Sequence, residues 1–337
     1  MITKLRLQNW KSFKDSIVYI DPLTILIGVN ASGKSNVLDA FDFIRKVVTE
    51  LQENNSIDLF ESIRGGKNWL IKRGEQKCTL DISVTIDNHE VIYSFSINGE
   101  TVFLTFRSPD WTVPTADIVQ KALAELQSIF VFNPVPEKMR GYSPVSNELK
   151  PDGSNIAGVI ASLPKDEKEK LEDELTKYVS PLPEKDIRKI QSVTVGLNNS
   201  DAMLYCYEEW NPDKPIDARG MSDGTLRFAA IVLALLTAKP HSLLVIEEID
   251  NGLHPSRAKE LVKVMKELSQ KRSVDILCTT HNPVLINELG NEMIPFISYV
   301  KRDSEGNSVI ELLEEKDNLA KLMASSTIGG IMTEDKL

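Results

Sequence analysis

The stretch "ILIGVNASGKSNVLDAF", residues 25 to 41, constrains the fold more than any other part of the chain. It reads as an apolar strand, a glycine loop and an amphipathic helix, and the loop fits G-x-x-x-x-G-K-[ST] through Gly28, Gly33, Lys34 and Ser35. Such a loop holds phosphate because its backbone N–H groups and the start of the following helix face the anion. Asn30, Ala31, Ser32, Gly33 and Asn36 are therefore expected at a nucleotide. Lys34 is expected to reach its β- and γ-phosphates, and the Ser35 hydroxyl to bind Mg²⁺. Ala31 occupies a position where many such loops carry another glycine, which restricts the backbone there. In the helix, Val37, Leu38, Phe41, Ile44, Val47, Val48 and Leu51 recur three or four apart and define one apolar face.

A chain of 337 residues, 42% apolar and 26% charged, can bury a sizeable core as one large domain or two ordinary ones. Its net charge of −10 argues against a generally basic protein that coats DNA. The local run "RGGKNWLIKR" (64–73) could still meet a phosphate backbone, and an exposed loop leading into a hairpin accounts for it equally well. "FAAIVLALLTA" (228–238) is about half a membrane span, so no membrane is expected as a partner. "MITKLRLQNW" carries no signal-peptide core, and the expected location is cytoplasmic. Cys78, Cys206 and Cys278 are far apart, without metal-ligand spacing, and read as ordinary reduced cysteines.

Residues 2–8 alternate in polarity, and 17–27 hold two short strands around Asp21-Pro22. "CTLDISVTID" and "EVIYSFSI" (78–87, 90–97) alternate with period two and read as a hairpin joined by "NH". From about 108 to 190, prolines from Pro109 to Pro183 punctuate short helices. One of these, "KDEKEKLEDELTKYV", reads as a solvated face rather than a binding element. After 190, strand–helix alternation returns: "QSVTVGL", "AMLYCYEEW", a helix at 222–238, the strand "SLLVIEE", a helix at 255–271, "DILCTT", and a strand pair near 296–313. The order implies an α/β fold with a parallel sheet and an inserted subdomain. The expected division is an N-terminal lobe, 1–107, a mostly helical insertion, 108–190, and a C-terminal lobe, 191–337.

Three further segments carry chemistry. In "SLLVIEEIDNGLHP" two carboxylates leave a buried strand at its C-terminal end, where α/β sheets hold ligands. Glu247 would hold Mg²⁺ and Glu248 would polarise the attacking water; two solvated acids capping a strand is the plain alternative. In "DILCTTHNP", His281 follows another buried strand and can point into the same crevice. His254, in "GLHP", reads mainly as shaping its loop. In "GMSDGTLRFAAIVLALL", Ser222 is a natural N-cap for an apolar helix. A well-capped buried helix explains that segment, yet its start is also a second anion-ready site beside the glycine loop.

In that order these segments resemble the ABC-type ATPases of the SMC/RecF group. "LQNWKSFKD" (7–15) is similar to their opening motif, "GVNASGKSN" to their phosphate loop, "MSDGT" to their signature, "VIEEIDNGLHP" to their Walker B strand and D-loop, and "TTHNP" to their switch histidine. "KPDGSNIAGVI" (150–160) narrows the resemblance to compact, coiled-coil-free AAA-type ATP-binding proteins, related to the ATPase subunit of Septu-type anti-phage systems. The resemblance implies a P-loop NTPase with an ABC-type head: a mixed sheet, an antiparallel β subdomain and an inserted helical subdomain. It implies ATP and Mg²⁺ as ligands and a homodimer in which each signature helix closes on ATP held by the other subunit. Ser222 and Gly224 would then contact the γ-phosphate in trans, Lys11 would approach the phosphates, and Arg64 of "IRGG" would couple ligand to hydrolysis. Glu247 replaces a usual Asp, Asp223 a usual glycine and Thr225 a usual glutamine. Asn133, ending "IFVFN", is the candidate for the Mg²⁺-sensing glutamine.

The leading expectation is an ATP-hydrolysing motor or sensor subunit of a DNA-related or anti-phage defence complex. Its effector, such as a nuclease, would be a separate protein, and assembly beyond a dimer stays open. A stand-alone DNA-binding repair ATPase is one alternative, and a slow or inactive ATP-held scaffold restraining a partner nuclease is another. A small-molecule kinase would leave the signature and histidine without a purpose.

Overall fold

The computed structural model of the chain describes residues 1–53, 60, 63–99, 101–109, 113–182, 187–317, 319–324 and 326–333. Pro183 and the side chain of Leu51 lie outside the described residues. The N-terminal elements are β1 (Ile2–Gln8), β2 (Asp15–Tyr19), β3 (Leu23–Ile27), α1 (Lys34–Glu53), β4 (Lys77–Ile86), β5 (His89–Asn98), β6 (Thr101–Arg107), α2 (Ala116–Gln127) and β7 (Phe130–Phe132). They are followed by α3 (Pro136–Met139), β8 (Ser143–Pro144), α4 (Ile156–Ala161), α5 (Lys165–Val179), β9 (Ile187–Val195), β10 (Asp201–Glu208), β11 (Asn211–Asp217) and α6 (Asp223–Thr237). The chain then runs through β12 (Leu243–Ile246), α7 (Pro255–Arg272), β13 (Asp275–Thr280), α8 (Pro283–Leu289), β14 (Ile297–Arg302), β15 (Ser308–Leu312), α9 (Leu319–Met323) and α10 (Ile328–Thr333).

These elements form two compact units. The first comprises Met1–Val131, Lys239–Ile249 and Ser273–Leu337, and the second Phe132–Ala238 and Asp250–Arg272.

The first unit is built on a six-stranded sheet of order β15-β14-β3-β13-β12-β7 and an antiparallel five-stranded sheet of order β2-β1-β4-β5-β6. β12, β13, β3 and β14 run parallel, and β15 returns antiparallel to β14. Every residue of β3 is buried, as is every residue of β13, the pattern of parallel strands covered on both faces. The apolar face read for α1 is buried: Val37, Leu38, Phe41, Ile44, Val47 and Val48 lie in one cluster with Leu5, Leu7, Leu80, Ile82 and Phe95 of the antiparallel sheet. The hairpin of β4 and β5 is present, with one correction to its turn. Ile86 pairs with His89, so the two-residue turn is Asp87-Asn88 and His89 opens β5. Both turn residues have positive φ, 48° and 65°, which gives the right-handed twist that flanking strands require and which Asp and Asn tolerate.

In the second unit β10 pairs with β8, β9 and β11 in antiparallel fashion. α5 is charged along most of its length, yet Leu171, Leu175, Tyr178 and Val179 are buried and it packs on β9 and α6. Glu172 is buried with them and accepts a hydrogen bond from the Ser192 backbone N–H at 2.8 Å, and burial raises its pKa. The charge of α5 is thus a solvated face around an apolar stripe. α6 is buried from Gly224 to Leu236, as expected of a helix apolar all round. β6 and β11 are strands that the sequence pattern did not single out; β11 lies at a sheet edge, where its two prolines need not donate to a ladder. Cys78, Cys206 and Cys278 are buried, and burial pushes the Cys78 thiol up to about 12. Among the described residues no helix is long and apolar enough to cross a membrane.

Candidate nucleotide site

The glycine loop follows β3, Glu247 and Glu248 follow β12, and His281 follows β13, so all lie at the C-terminal ends of parallel strands of one sheet. That edge is where open α/β sheets bind ligands. Close approach of the backbone fixes both loop glycines. A Cβ at Gly28 (φ +149°) would lie 2.2 Å from the Val300 carbonyl oxygen, and one at Gly33 (φ +121°) 2.4 Å from Ser308 Oγ. Ala31 takes a left-handed conformation, φ 62°, which costs an L residue about 1 kcal/mol. The Arg302 guanidinium holds it there by donating to the Ala31 carbonyl at 3.2 and 3.0 Å. Asn36 donates to Ser12 Oγ at 2.8 Å and accepts from the Trp10 indole through its carbonyl at 2.7 Å, tying the opening segment to the loop. Asn30 is exposed, whereas Ser32 Oγ is buried without a hydrogen-bond partner.

Lys34 is 8% exposed and donates to the Gly28 and Val29 carbonyls at 2.7 and 2.9 Å. Burial lowers its pKa, and the nearby Glu248 and Glu247 carboxylates oppose that shift. Ser35 Oγ donates to Glu247 Oε1 at 2.7 Å. Arg64 grips the same carboxylate with both terminal nitrogens, one bond being 2.8 Å, and its Nε lies 3.6 Å from Asp39. The Glu247 hydrogen bond is the main reason the Arg64 pKa is raised. Lys11, itself at φ 49°, places Nζ 2.5 Å from Asp39 and 3.0 Å from the Arg64 carbonyl. Lys11, Asp39, Arg64, Glu247 and Ser35 therefore form one polar chain beside the loop. The oxygens of Ser35 and Glu247 are hard donors of the kind Mg²⁺ takes, and the orphaned Ser32 hydroxyl suits a phosphate oxygen, so these residues fit the expected ligands.

Glu248 has a positive φ of 47°, a sparsely populated backbone state of the sort stored at functional sites. The β13 end sustains it: the Glu248 N–H donates to Thr279 Oγ1 at 2.9 Å, and the Ile249 N–H donates to the Thr279 carbonyl at 3.0 Å. Glu248 Oε1 lies 3.5 Å from His281 Nδ1, and each side chain is about two-fifths exposed, at 41% and 42%. Asn282, next in sequence, caps α8 through bonds from the Val284 and Leu285 N–H groups.

The signature segment lies in the second unit. Ser222 caps α6, its Oγ accepting from the Thr225 N–H at 3.1 Å. Arg257 of α7 donates to Ser222 Oγ at 3.3 Å and to Thr225 Oγ1 at 3.2 Å. A Cβ at Gly224 would come within 3.0 Å of that arginine, so the helix start and α7 pack at glycine distance. Arg140 pairs with Asp223 and donates to the carbonyls of Ala218, Arg219 and Met221. His254 bonds Ser256 through its ring at 2.8 Å and accepts through its carbonyl from Arg257 and Ala258, the loop-shaping role read from sequence. Asn133 is exposed, and its backbone N–H donates to Pro151 at 2.8 Å. Arg140, Arg257, Arg302 and Asp39 were missed in the sequence because nothing local marks them.

The architecture is similar to solved SMC heads. An SMC head bound to the C-winged helix domain of ScpA superposes with a TM-score of 0.63 at 16% identity, covering 92% of this chain and 97% of that one. An SMC head with an extended coiled coil, from Pyrococcus furiosus, gives 0.60 at 15% identity over 100% and 99%. The fold is that of an SMC-head, ABC-type P-loop ATPase domain. Residues 1–133 match the family described as "AAA ATPase domain" and residues 136–287 the one described as "AAA domain, putative AbiEii toxin, Type IV TA system". Both stretches are thus similar to AAA-family ATPase domains. An "ATP/GTP phosphatase" of Helicobacter pylori is 23% identical to it over 86% of this chain and 87% of its own length.

Proposed function

We propose that this AAA/SMC-head-type ATPase hydrolyses ATP as a homodimer with two nucleotides sandwiched between subunits, and acts as the motor or sensor of a complex whose effector is a separate protein. The observation that carries it is the convergence of Ser35, Glu247, Glu248 and His281 at adjacent strand ends. The backbone of Asn30 to Asn36 and the Lys34 ammonium bind the phosphate chain, Lys34 moving off the Gly28 and Val29 carbonyls to do so. Ser35 and Glu247 hold Mg²⁺, with Asn133 as the further candidate. Mg²⁺ bound there supplies charge neutralisation at the β- and γ-phosphate oxygens. Glu248 accepts the proton of the attacking water, and His281 orients that water and the γ-phosphate. Lys11 and Arg64 approach the phosphates and couple their presence to turnover.

The sandwich is supported by the anion-ready start of α6. Ser222 and Gly224 offer a capped helix N-terminus framed by Arg257, and one nucleotide needs only one glycine loop. A two-fold pair uses that second element on the partner's ATP. SMC heads of this fold are seen bound to ScpA, which supports a separate partner protein. A role in DNA-related or anti-phage defence rests on the resemblance to Septu-type ATPase subunits.

Glu248→Gln in saturating ATP and Mg²⁺ is expected to accumulate as an ATP-bound dimer, read by light scattering after size-exclusion chromatography. Ser222→Arg is expected to abolish turnover. A monomeric Glu248→Gln protein together with full turnover by Ser222→Arg would refute the sandwich. A second reading, direct DNA binding, is favoured by Trp69, 51% exposed with the Arg73 guanidinium 4.5 Å from its ring centre. Its mark would be DNA-stimulated turnover that Lys67→Ala or Lys72→Ala removes.

A further inference from the structure

The signature helix begins with a carboxylate where a phosphate is to be bound. Asp223 is the first residue of α6, directly after the Ser222 cap. A helix start carries about half a positive charge, which an aspartate there cancels and exceeds. Left to itself, Asp223 would repel a γ-phosphate approaching Ser222 and Gly224.

Arg140, at the end of α3, meets this carboxylate with one terminal nitrogen. Its other terminal nitrogen donates to the carbonyls of Ala218, Arg219 and Met221 at 3.0, 2.8 and 2.8 Å. One guanidinium thus binds the loop that enters the signature and the acid that starts its helix. The carboxylate is drawn toward Arg140, while Arg257 donates to the Ser222 and Thr225 hydroxyls. Two arginines and one aspartate leave this helix start net positive.

We infer that Arg140 is a positioning residue for the nucleotide of the opposite subunit: it neutralises Asp223 and holds it off the phosphate-facing start of α6. This rests on the composite-site reading above. A role confined to bracing the entry loop would run through the three carbonyls and would not depend on the charge at position 223.

The test is a mutant cycle in the Glu248→Gln protein, following the ATP concentration that half-saturates dimer formation. Arg140→Ala is expected to raise it by roughly tenfold or more, within the usual span of coupling between sites. Arg140→Ala combined with Asp223→Asn is expected to return it to within about threefold of the parent, because the repelling charge is gone. Asp223→Asn alone completes the cycle. A double variant as weak as Arg140→Ala, or an Arg140→Ala variant equal to the parent, overturns the inference. Should Arg140→Ala not fold, Arg140→Gln, whose amide can still reach a carbonyl, carries the same expectation and the same rescue. A parent that stays monomeric in ATP overturns the sandwich itself, and this inference with it.

Discussion

Arg64→Ala tests what the guanidinium does to Glu247, the carboxylate proposed to hold Mg²⁺. In the structure Glu247 accepts two bonds from Arg64 and one from Ser35, so a cation entering between Ser35 and Glu247 must compete with a guanidinium. Arg64 is 55% exposed, and solvent screening limits such a pair to about 0.2–1 kcal/mol even in bidentate geometry. Removing it should therefore lower Tm by no more than about 3 °C. Asp39 keeps Lys11, 2.5 Å away, so the neighbouring buried charge is not stranded. On the proposal that Glu247 holds Mg²⁺, the same energy returns as cation affinity, since the cation would no longer have to displace the arginine. The Mg²⁺ concentration half-saturating nucleotide binding should fall by about 1.4- to 5-fold. Turnover should fall as well, because Arg64 is proposed to couple bound phosphate to hydrolysis. The assay is a titration of Mg²⁺ against a fluorescent ATP analogue at fixed ionic strength, alongside phosphate release. An unchanged or raised half-saturating Mg²⁺ concentration would refute the competition, and a Tm loss of about 8 °C would make the pair structural.

Gly28→Ala should cost about 2–4 kcal/mol, since its Cβ would sit 2.2 Å from a backbone oxygen of β14 at a φ unsuited to L residues; chemical denaturation that matched the parent would contradict it. Asp275 is buried at the start of β13, and burial, with smaller contributions from Glu125 and Asp21 against the amino terminus, raises its pKa from 3.8 to about 7. The native state then holds a proton that the unfolded state has lost between those two values, so stability falls as pH rises from about 4 to 7, by at most ~1.4 kcal/mol per unit. Asp275→Asn should flatten that slope and be the more stable form at pH 8, measured by denaturant midpoints at several pH values.

The phosphate loop, the acid pair and the histidine were legible in the sequence because each is announced locally. An apolar run sets a buried strand, and the residue after it falls at the ligand edge, whatever the remainder of the chain does. The N-cap Ser222 and the apolar face of α1 were legible for the same reason, since cap chemistry and helical period act over a few residues. The β4–β5 hairpin was legible in its strands but not in its turn. Period two does not say which pair of residues closes the ladder; the positive φ of Asp87 and Asn88 does.

Pairing across long separations was not legible. Arg64 reaches Glu247 across 183 positions, Arg302 reaches Ala31 across 271, and Arg140 reaches Asp223 across 83. No propensity or period carries information over such distances, because these partners meet only after sheet order is set. The order β14-β3-β13-β12 brings loop, acids and histidine to one edge, and there Thr279 of the neighbouring strand accepts the N–H of Glu248, whose backbone is in the left-handed region. By itself the sequence determined where the candidate groups fall, through local patterns that place each at a strand end or helix start. Only the tertiary structure decided which distant side chains those groups pair with, because salt bridges between distant segments follow from packing rather than from neighbours in the chain.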